Sequence, residues 1–178
     1  MSQMPPPAPE PMNTPPVAGR PGELLDRFLA RLIDGLIIGV VYVILSTILR
    51  GIFLQGFIYS TTEWLLYWAV LTIIWVPVVL GYFAFMDSSR GQTFGKMALK
   101  LQVYGPNGGH PTMEQSVRRN IFYAFQLIAI IPILGGLVAG VATLIAVIMI
   151  AVNINNDTAR RQGWHDHFAG ETYVLKVG

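Results

Sequence analysis

The sequence predicts an all-α membrane protein: a four-helix transmembrane bundle with a small cytoplasmic two-strand element and a disordered N-terminal tail. Hydrophobic residues make up 53% of the 178 residues and charged residues only 12%, whereas a soluble domain carries about 25% charged residues. The charges also lie in the gaps between long apolar runs, which is typical of a chain that crosses a bilayer. Cysteine is absent, so the sequence predicts neither a disulfide nor a thiolate metal site.

The first 22 residues are predicted to be a disordered proline-rich tail, followed by a transmembrane domain over residues 23–178. Eight of the twelve prolines lie in this tail. A stretch so rich in proline buries nothing and lacks backbone donors, so we expect it to be extended and mobile. A bare tether and a binding segment for a polyproline reader are both open interpretations.

Four helices are predicted from the apolar runs, at about residues 24–49, 63–86, 112–131 and 136–154. The first two runs each have the roughly 20 residues that a helix needs to cross a hydrocarbon core of about 30 Å. The last run, residues 121–152, is too long for one crossing. Pro132 and the pair Gly135-Gly136 near its middle predict a turn between two helices.

The distribution of Lys and Arg predicts that both termini are cytoplasmic. The segment 87–120 carries five of these residues and the segment 50–63 only one, so the first is expected inside and the second outside. Two alternating segments, at about residues 98–104 and 171–177, are predicted to be strands. With four crossings both strands lie on the cytoplasmic side, where they can pair with each other.

Asp34 is the residue that stands out in this pattern, because it lies inside an apolar helix. An ionised carboxylate there costs on the order of 3 kcal/mol. Arg27, Arg31 and Asp34 share one helical face at i, i+4 and i+7. Asp34 is therefore either half of a local ion pair or a group in the bundle interior that binds a cation or a proton. Arg119, on the polar face of the third helix, is a candidate partner for it.

Small residues spaced four apart predict close packing of helices. The first helix has Gly35 and Gly39 at this spacing, and the fourth has Gly136 and Gly140.

Several kinds of chemistry find no support in the sequence. No nucleophile–base pair or paired carboxylates occur in the membrane segments, so we predict that the protein is not an enzyme. The stretch Gly91–Lys96 fails as a phosphate loop, because its spacing is one residue short and no Ser or Thr follows the lysine. His165-Asp166-His167 lacks a second ligand cluster, so no metal or cofactor is predicted. No basic stretch carries interleaved aromatics, so no nucleic-acid partner is predicted.

Taken together, these segments resemble the RDD family of bacterial membrane proteins, named for one arginine and two aspartates. The opening block is Arg27-Phe28-Leu29-Ala30-Arg31-Leu32-Ile33-Asp34, which makes Arg27 and Asp34 the arginine and the first aspartate. The closing block is Trp164-His165-Asp166-His167-Phe168-Ala169-Gly170, which makes Asp166 the second aspartate. Between them, Gly91-Gln92-Thr93-Phe94-Gly95-Lys96 and Arg119-Asn120 are similar to the family's loop and its next helix start. Glu171 departs from the pattern, since the family has Thr directly after the Ala-Gly pair.

The resemblance spans roughly residues 24–177 and implies a place in the bacterial plasma membrane. It implies functional positions at Arg27, Asp34 and Asp166, with Lys96 and Arg119 as weaker additions. Some members are similar to cation/proton antiporters, so one hypothesis is a small carrier that exchanges a monovalent cation for protons at Asp34. Because four helices enclose little interior, such a carrier is expected to be a homo-oligomer. The alternative is a non-transporting accessory or scaffold protein that binds a partner through its cytoplasmic segments.

Overall fold

The computed structural model describes residues 19–56 and 58–178, so most of the predicted tail lies outside the described residues. The described chain is mostly helical and carries one small sheet. The α-helices are α1 (Leu24–Phe53), α2 (Thr61–Arg90), α3 (Phe94–Ala98), α4 (Met113–Arg119), α5 (Gly135–Asn156) and α6 (Trp164–Phe168). A 3₁₀ helix covers Ile121–Ile130, and the strands are β1 (Arg20–Pro21), β2 (Leu101–Tyr104) and β3 (Tyr173–Lys176).

Three helices of the described chain, α1, α2 and α5, are long and apolar enough to cross a membrane. With 30 residues each, α1 and α2 are about 45 Å long at 1.5 Å per residue, which exceeds a hydrocarbon core of about 30 Å. Large apolar side chains such as Val40, Ile44 and Ile148 are more than half exposed on these helices. This surface suits lipid rather than water, and the chain is accordingly a transmembrane protein.

The single helix predicted over residues 112–131 is wrong, because the segment is divided at Asn120. α4 ends at Arg119, and the 3₁₀ helix begins at Ile121. The buried side-chain amide of Asn120 donates to the Ser116 carbonyl at 2.8 Å, while the Asn120 backbone N–H bonds the Val117 carbonyl at 3.0 Å. The side chain thus takes the carbonyl that the next α-helical turn needs, and the chain tightens into i→i+3 bonds.

The predicted turn before the fourth helix is present and requires a glycine at its end. A Cβ on Gly135 would lie 2.2 Å from the carbonyl oxygen of Ile128. The 3₁₀ helix can therefore pack closely against the start of α5 only where the side chain is a hydrogen atom.

The small sheet is present but has three strands instead of the predicted two, in the antiparallel order β1-β3-β2. Its register places Leu101 opposite Lys176 and Tyr104 opposite Tyr173, and Glu171 adopts a φ of 65° ahead of β3. β1 has only two residues and so shows no alternation from which a strand is predicted. Its Pro21 sits in an edge strand, the position in a sheet that tolerates proline.

Close contacts between elements fall at glycines other than the four singled out in the sequence. A Cβ at Gly35, Gly39, Gly136 or Gly140 would meet nothing within 4 Å. A Cβ at Gly95 would lie only 1.9 Å from the carbonyl oxygen of Ala30. Gly95 therefore allows α3 to pack directly on α1.

Candidate functional site

Most buried polar side chains of the described chain gather at one end of the membrane helices. This end is built from the start of α1, the end of α2, the short helices α3, α4 and α6, and the sheet. We call it the polar end cluster and define it by the charged residues Arg27, Arg31, Asp34, Asp87, Lys96, Arg119 and Asp166 with the neutral His165. Each predicted charged site residue lies in it, but the pairs differ from those predicted.

Asp166 is fully buried and is held by two arginines from distant segments. Its Oδ2 atom lies 3.3 Å from Arg27 Nη1, and its Oδ1 atom lies 3.2 Å from Arg119 Nη2. The Thr172 hydroxyl donates to Oδ1 at 3.1 Å, and the Gly163 N–H donates to Oδ2 at 3.1 Å. One carboxylate thus joins α1 and α4 to the chain around α6.

The protonation states in this cluster follow from burial and from neighbouring charge. Burial raises the pKa of Asp166, but the positive charge of Arg119 and its other neighbours outweighs burial and holds that pKa well below its usual range. Burial also lowers the pKa of His165 to about 3. At pH 7 the aspartate is therefore ionised and the imidazole is neutral.

A second buried ion pair joins Lys96 in α3 to Asp87 at the end of α2. Lys96 is 5% exposed and Asp87 is fully buried. Burial lowers the pKa of Lys96 to about 7, although Asp87 opposes the shift. Sequence reasoning missed Asp87 as a site residue. The signal was its place near a helix C-terminus, where the helix dipole disfavours a carboxylate and a specific partner is needed.

Asp34 is also fully buried, yet it forms no salt bridge in the described chain. Its carboxylate accepts hydrogen bonds from the Thr93 hydroxyl at 2.6 Å, the Tyr82 hydroxyl at 2.8 Å and the Gly95 N–H at 2.8 Å. The candidate ion pair between Asp34 and Arg119 is not formed, because Arg119 binds Asp166 instead. Through their hydrogen bonds to Asp34, Thr93 and Gly95 hold the start of α3 against α1, and Tyr82 ties α2 to the same carboxylate. Only their tertiary placement reveals Tyr82 and Thr93 as site residues.

Arg31 does not neutralise Asp34 either. Its guanidinium lies 4.0 Å from the ring centroid of Phe83, and its Nη2 atom donates to Asn120 Oδ1 at 2.7 Å. This stacking and the single amide contact hold a cation in place without a carboxylate beside it.

Two hollows adjoin these residues. A cavity of about 290 Å³ is lined by four cationic side chains, Arg27, Arg31, Lys96 and Arg119, and by apolar side chains. A cleft of about 380 Å³ between α1, α2 and the 3₁₀ helix is lined in part by Gly35, Gly39, Tyr42, Thr72 and Gln126.

The predicted His165–His167 motif brings together few metal ligands. His167 contacts the carboxylate of Glu171 at 2.9 Å on the exposed surface, whereas His165 is buried. Over residues 19–56 and 58–178, no group of three or more His, Cys, Asp or Glu side chains is placed to hold a metal ion.

The membrane-type helices and the ion-paired end define a class: a small helical integral membrane protein whose buried charges lie together at one end of the helices. The model of the RDD family matches residues 21–170, and the chain belongs to the RDD family. Its Arg27 and Asp166, the family arginine and second aspartate by the resemblance above, meet at 3.3 Å. No curated protein and no solved structure matches the chain significantly.

Proposed function

We propose that this RDD family membrane protein is a small carrier that exchanges a monovalent cation for protons, with Asp34 as the group that binds the ion. The observation that carries the proposal is the charge pairing of the buried acids. In the described chain three carboxylates are fully buried. Asp87 and Asp166 pair with cations, and Asp34 does not. No enzyme chemistry enters the proposal.

The surroundings of Asp34 suit the binding of either a proton or a metal cation. A buried carboxylate in a membrane segment is most stable when something neutralises it. The Tyr82 and Thr93 oxygens lie within 2.8 Å and 2.6 Å of this carboxylate, and hard cations prefer such oxygen ligands. A cation and a proton would compete for this one carboxylate, so only one of them is bound at a time. Exchange of a cation for a proton requires such competition.

The cleft between α1, α2 and the 3₁₀ helix supports a route to this group. Gly35, the residue after Asp34, lines the cleft. Tyr42, Thr72 and Gln126 add hydroxyl and amide groups along it. These neutral polar groups can solvate a cation without holding it by charge.

We also propose that residues 113–130 make a fourth passage through the membrane. β2 and β3 are paired and so lie on one side, yet α5 crosses the membrane between them. An odd number of crossings would separate the strands, so the segment before α5 must also cross. α4 and the 3₁₀ helix together rise about 30 Å, at about 1.5 and 2.0 Å per residue, which is enough. The concentration of Lys and Arg on the strand side supports a cytoplasmic position for both termini.

A homo-oligomer belongs to this proposal. The face of α5 at Gly136 and Gly140 has no neighbour within 4 Å of an added Cβ. It therefore leaves room for a helix of a second copy at the close distance that small residues permit.

The test is proton flux in inverted vesicles, followed with a pH-sensitive dye after pulses of Na⁺, K⁺ or Li⁺. Asp34→Asn should abolish cation-dependent flux at unchanged protein level. Asp26→Asn, in the same helix but half-buried beside Lys176, is the matched control and should retain flux. Normal exchange by Asp34→Asn would end the carrier proposal.

A second proposed function is that of a non-transporting accessory or scaffold protein. One observation favours it: an open polar hollow of about 780 Å³ lies beside the end of α5, lined in part by Asp157, Arg160, His167 and Glu171. A soluble partner with complementary charge would fit such a surface. Under this function, removal of residues 1–18 or charge reversal in the hollow loses a partner in a pull-down. Asp34→Asn then acts only through stability.

A further inference from the structure

The cavity in the polar end cluster has an unusual lining. It lies between α1, α5, the 3₁₀ helix and the sheet, and four cationic side chains reach it: Arg27, Arg31, Lys96 and Arg119. Among the residues that the structure describes, no carboxylate lines it. Its volume of about 290 Å³ is several times the roughly 30 Å³ that one water occupies in the liquid.

The cluster around this cavity carries an excess of positive charge. Its four cationic side chains face three carboxylates, those of Asp34, Asp87 and Asp166. With His165 neutral, one net positive charge is left inside the protein while Lys96 is protonated, which is the case below its pKa of about 7. An uncompensated buried charge is costly, so an anion in the cavity would stabilise the cluster.

Unpartnered hydrogen-bond donors accompany the excess charge. Arg119 is 2% exposed, and its Nε and Nη1 atoms have no hydrogen-bond partner in the described chain. The Nη1 atom of Arg31 is likewise buried without a partner there. Guanidinium donors of this kind match the geometry of a phosphate group and bind it through parallel hydrogen bonds.

Apart from Tyr123 and His165, the remaining wall of the cavity is apolar, and it reaches the lipid-facing surface. Phe28 of α1 and Val147 of α5 line the cavity, yet they are 61% and 45% exposed. Ile150 and Ala151 continue the apolar wall on α5. The cavity therefore joins a cationic end to an apolar opening between two membrane helices.

We propose that this cavity binds the phosphate headgroup of an anionic membrane lipid, with its acyl chains lying along α1 and α5. Basic pockets between membrane helices on the cytoplasmic side are suited to such headgroups. The site is separate from ion exchange, because Asp34 does not line this cavity.

The first experiment measures lipid retention by native mass spectrometry of the purified full-length protein. The protein is titrated in non-ionic detergent with phosphatidylglycerol or phosphatidylcholine of the same acyl chains. We expect phosphatidylglycerol to bind about tenfold more tightly, a preference of about 1.4 kcal/mol. Equal binding of the two lipids would overturn the proposal.

Paired variants on α5 locate the lipid. Ala151→Phe places a ring in the cavity and should remove the preference for phosphatidylglycerol. Val152→Phe, at the next residue, is 51% exposed and lies outside the cavity lining, so it should leave the preference unchanged. An unchanged preference in Ala151→Phe would contradict the assignment of the cavity.

Arg31→Gln tests the headgroup contact separately, because glutamine retains a donor for Asn120 but loses the charge. Arg31→Gln should reduce the preference for phosphatidylglycerol several-fold.

The last experiment uses inorganic phosphate as the ligand. Inorganic phosphate should protect the protein against thermal unfolding far less than phosphatidylglycerol at the same phosphate concentration. If inorganic phosphate and phosphatidylglycerol protect the protein equally, the cavity binds a free anion and the lipid proposal is overturned. Since Asp34→Asn should keep its lipid preference, failure of this proposal and failure of the carrier proposal are distinguishable.

Discussion

Asp166 contacts four donors from different parts of the chain. Arg27 comes from the start of α1, Arg119 from the end of α4, Thr172 from the approach to β3, and the Gly163 N–H from the residue before α6. Removing one member of a buried charge pair leaves an uncompensated charge, which costs about 3–5 kcal/mol. The second family aspartate is therefore a structural centre of the end cluster, whereas the first, Asp34, is held by neutral donors.

At the residue scale we expect acid to destabilise the folded protein in two ranges. Burial lowers the pKa of His165 from 6.5 to about 3, so between these values the unfolded chain holds the extra proton. The free energy of unfolding then falls with decreasing pH, by up to about 1.4 kcal/mol per pH unit. The pKa of Asp166 is also lowered in the folded state, so its contribution is lost as pH falls below about 4.

Thermal unfolding of the protein in detergent between pH 7 and pH 3 checks this expectation. His165→Gln should remove the loss of stability between about pH 6 and pH 4 and leave the loss below about pH 4 that Asp166 causes. Superimposable pH profiles for the two proteins would show that the imidazole does not contribute.

The sequence alone identified part of the site at this scale. Asp34 was identified because an ionised carboxylate inside an apolar helix is costly. Asp166 was identified as a site residue through the family resemblance. Asp87, Tyr82, Thr93 and Asn120 were missed, because their roles depend on partners that tertiary packing brings together. The Asp34–Arg119 pair failed because the guanidinium of Arg119 lies against a different carboxylate.

At the scale of elements, Gly95 controls how α3 seats on α1. A Cβ there would lie 1.9 Å from the Ala30 carbonyl oxygen and 3.0 Å from the Asp34 side chain. We expect Gly95→Ala to destabilise the protein by at least about 1–3 kcal/mol, since the backbone of α1 cannot move aside without strain. The measurement is the midpoint of thermal unfolding in detergent.

Gly81→Ala, on an exposed face of α2, is the matched control, because an added Cβ there meets nothing within 4 Å. Alanine favours a helix over glycine by up to about 1 kcal/mol, so this variant should be neutral or stabilising. A loss of stability as large as that of Gly95→Ala would contradict the assignment of the Gly95→Ala effect to the close contact with Ala30.

The third apolar segment shows why element boundaries were harder to predict than element positions. Its apolarity and the Pro132 turn were visible in the sequence, and the turn is present. The division at Asn120 depends on a side-chain hydrogen bond to Ser116, which hydrophobic periodicity does not report. β1 was missed for a similar reason, since a two-residue strand is stabilised by its partner β3 and not by its own pattern.

At the scale of the whole molecule, the pairing of β2 with β3 makes the membrane topology testable. The chain has no cysteine, so single cysteines can replace the exposed residues Gln55, Asn107 and Thr158. In intact cells an impermeant maleimide should label only Gln55→Cys, because four crossings keep the other two positions inside. After permeabilisation all three variants should react equally.

Asn107 and Thr158 lie on either side of the proposed fourth passage and of α5. Labelling of Thr158→Cys but not of Asn107→Cys in intact cells would show an odd number of crossings between them. That outcome would contradict both the fourth passage and the cytoplasmic position of the C-terminal strand.

The central strand of the sheet, β3, follows every helix in chain order, and this has a consequence for biogenesis. A ribosome that feeds the chain into the bilayer delivers Arg27 and Arg119 well before it delivers Asp166. The growing polypeptide must therefore keep both guanidiniums hydrated or beside lipid phosphates until Asp166 has been synthesised. The polar end can close only after α1, α2 and α5 have been made, so a copy truncated before Asp166 has an open, cationic end.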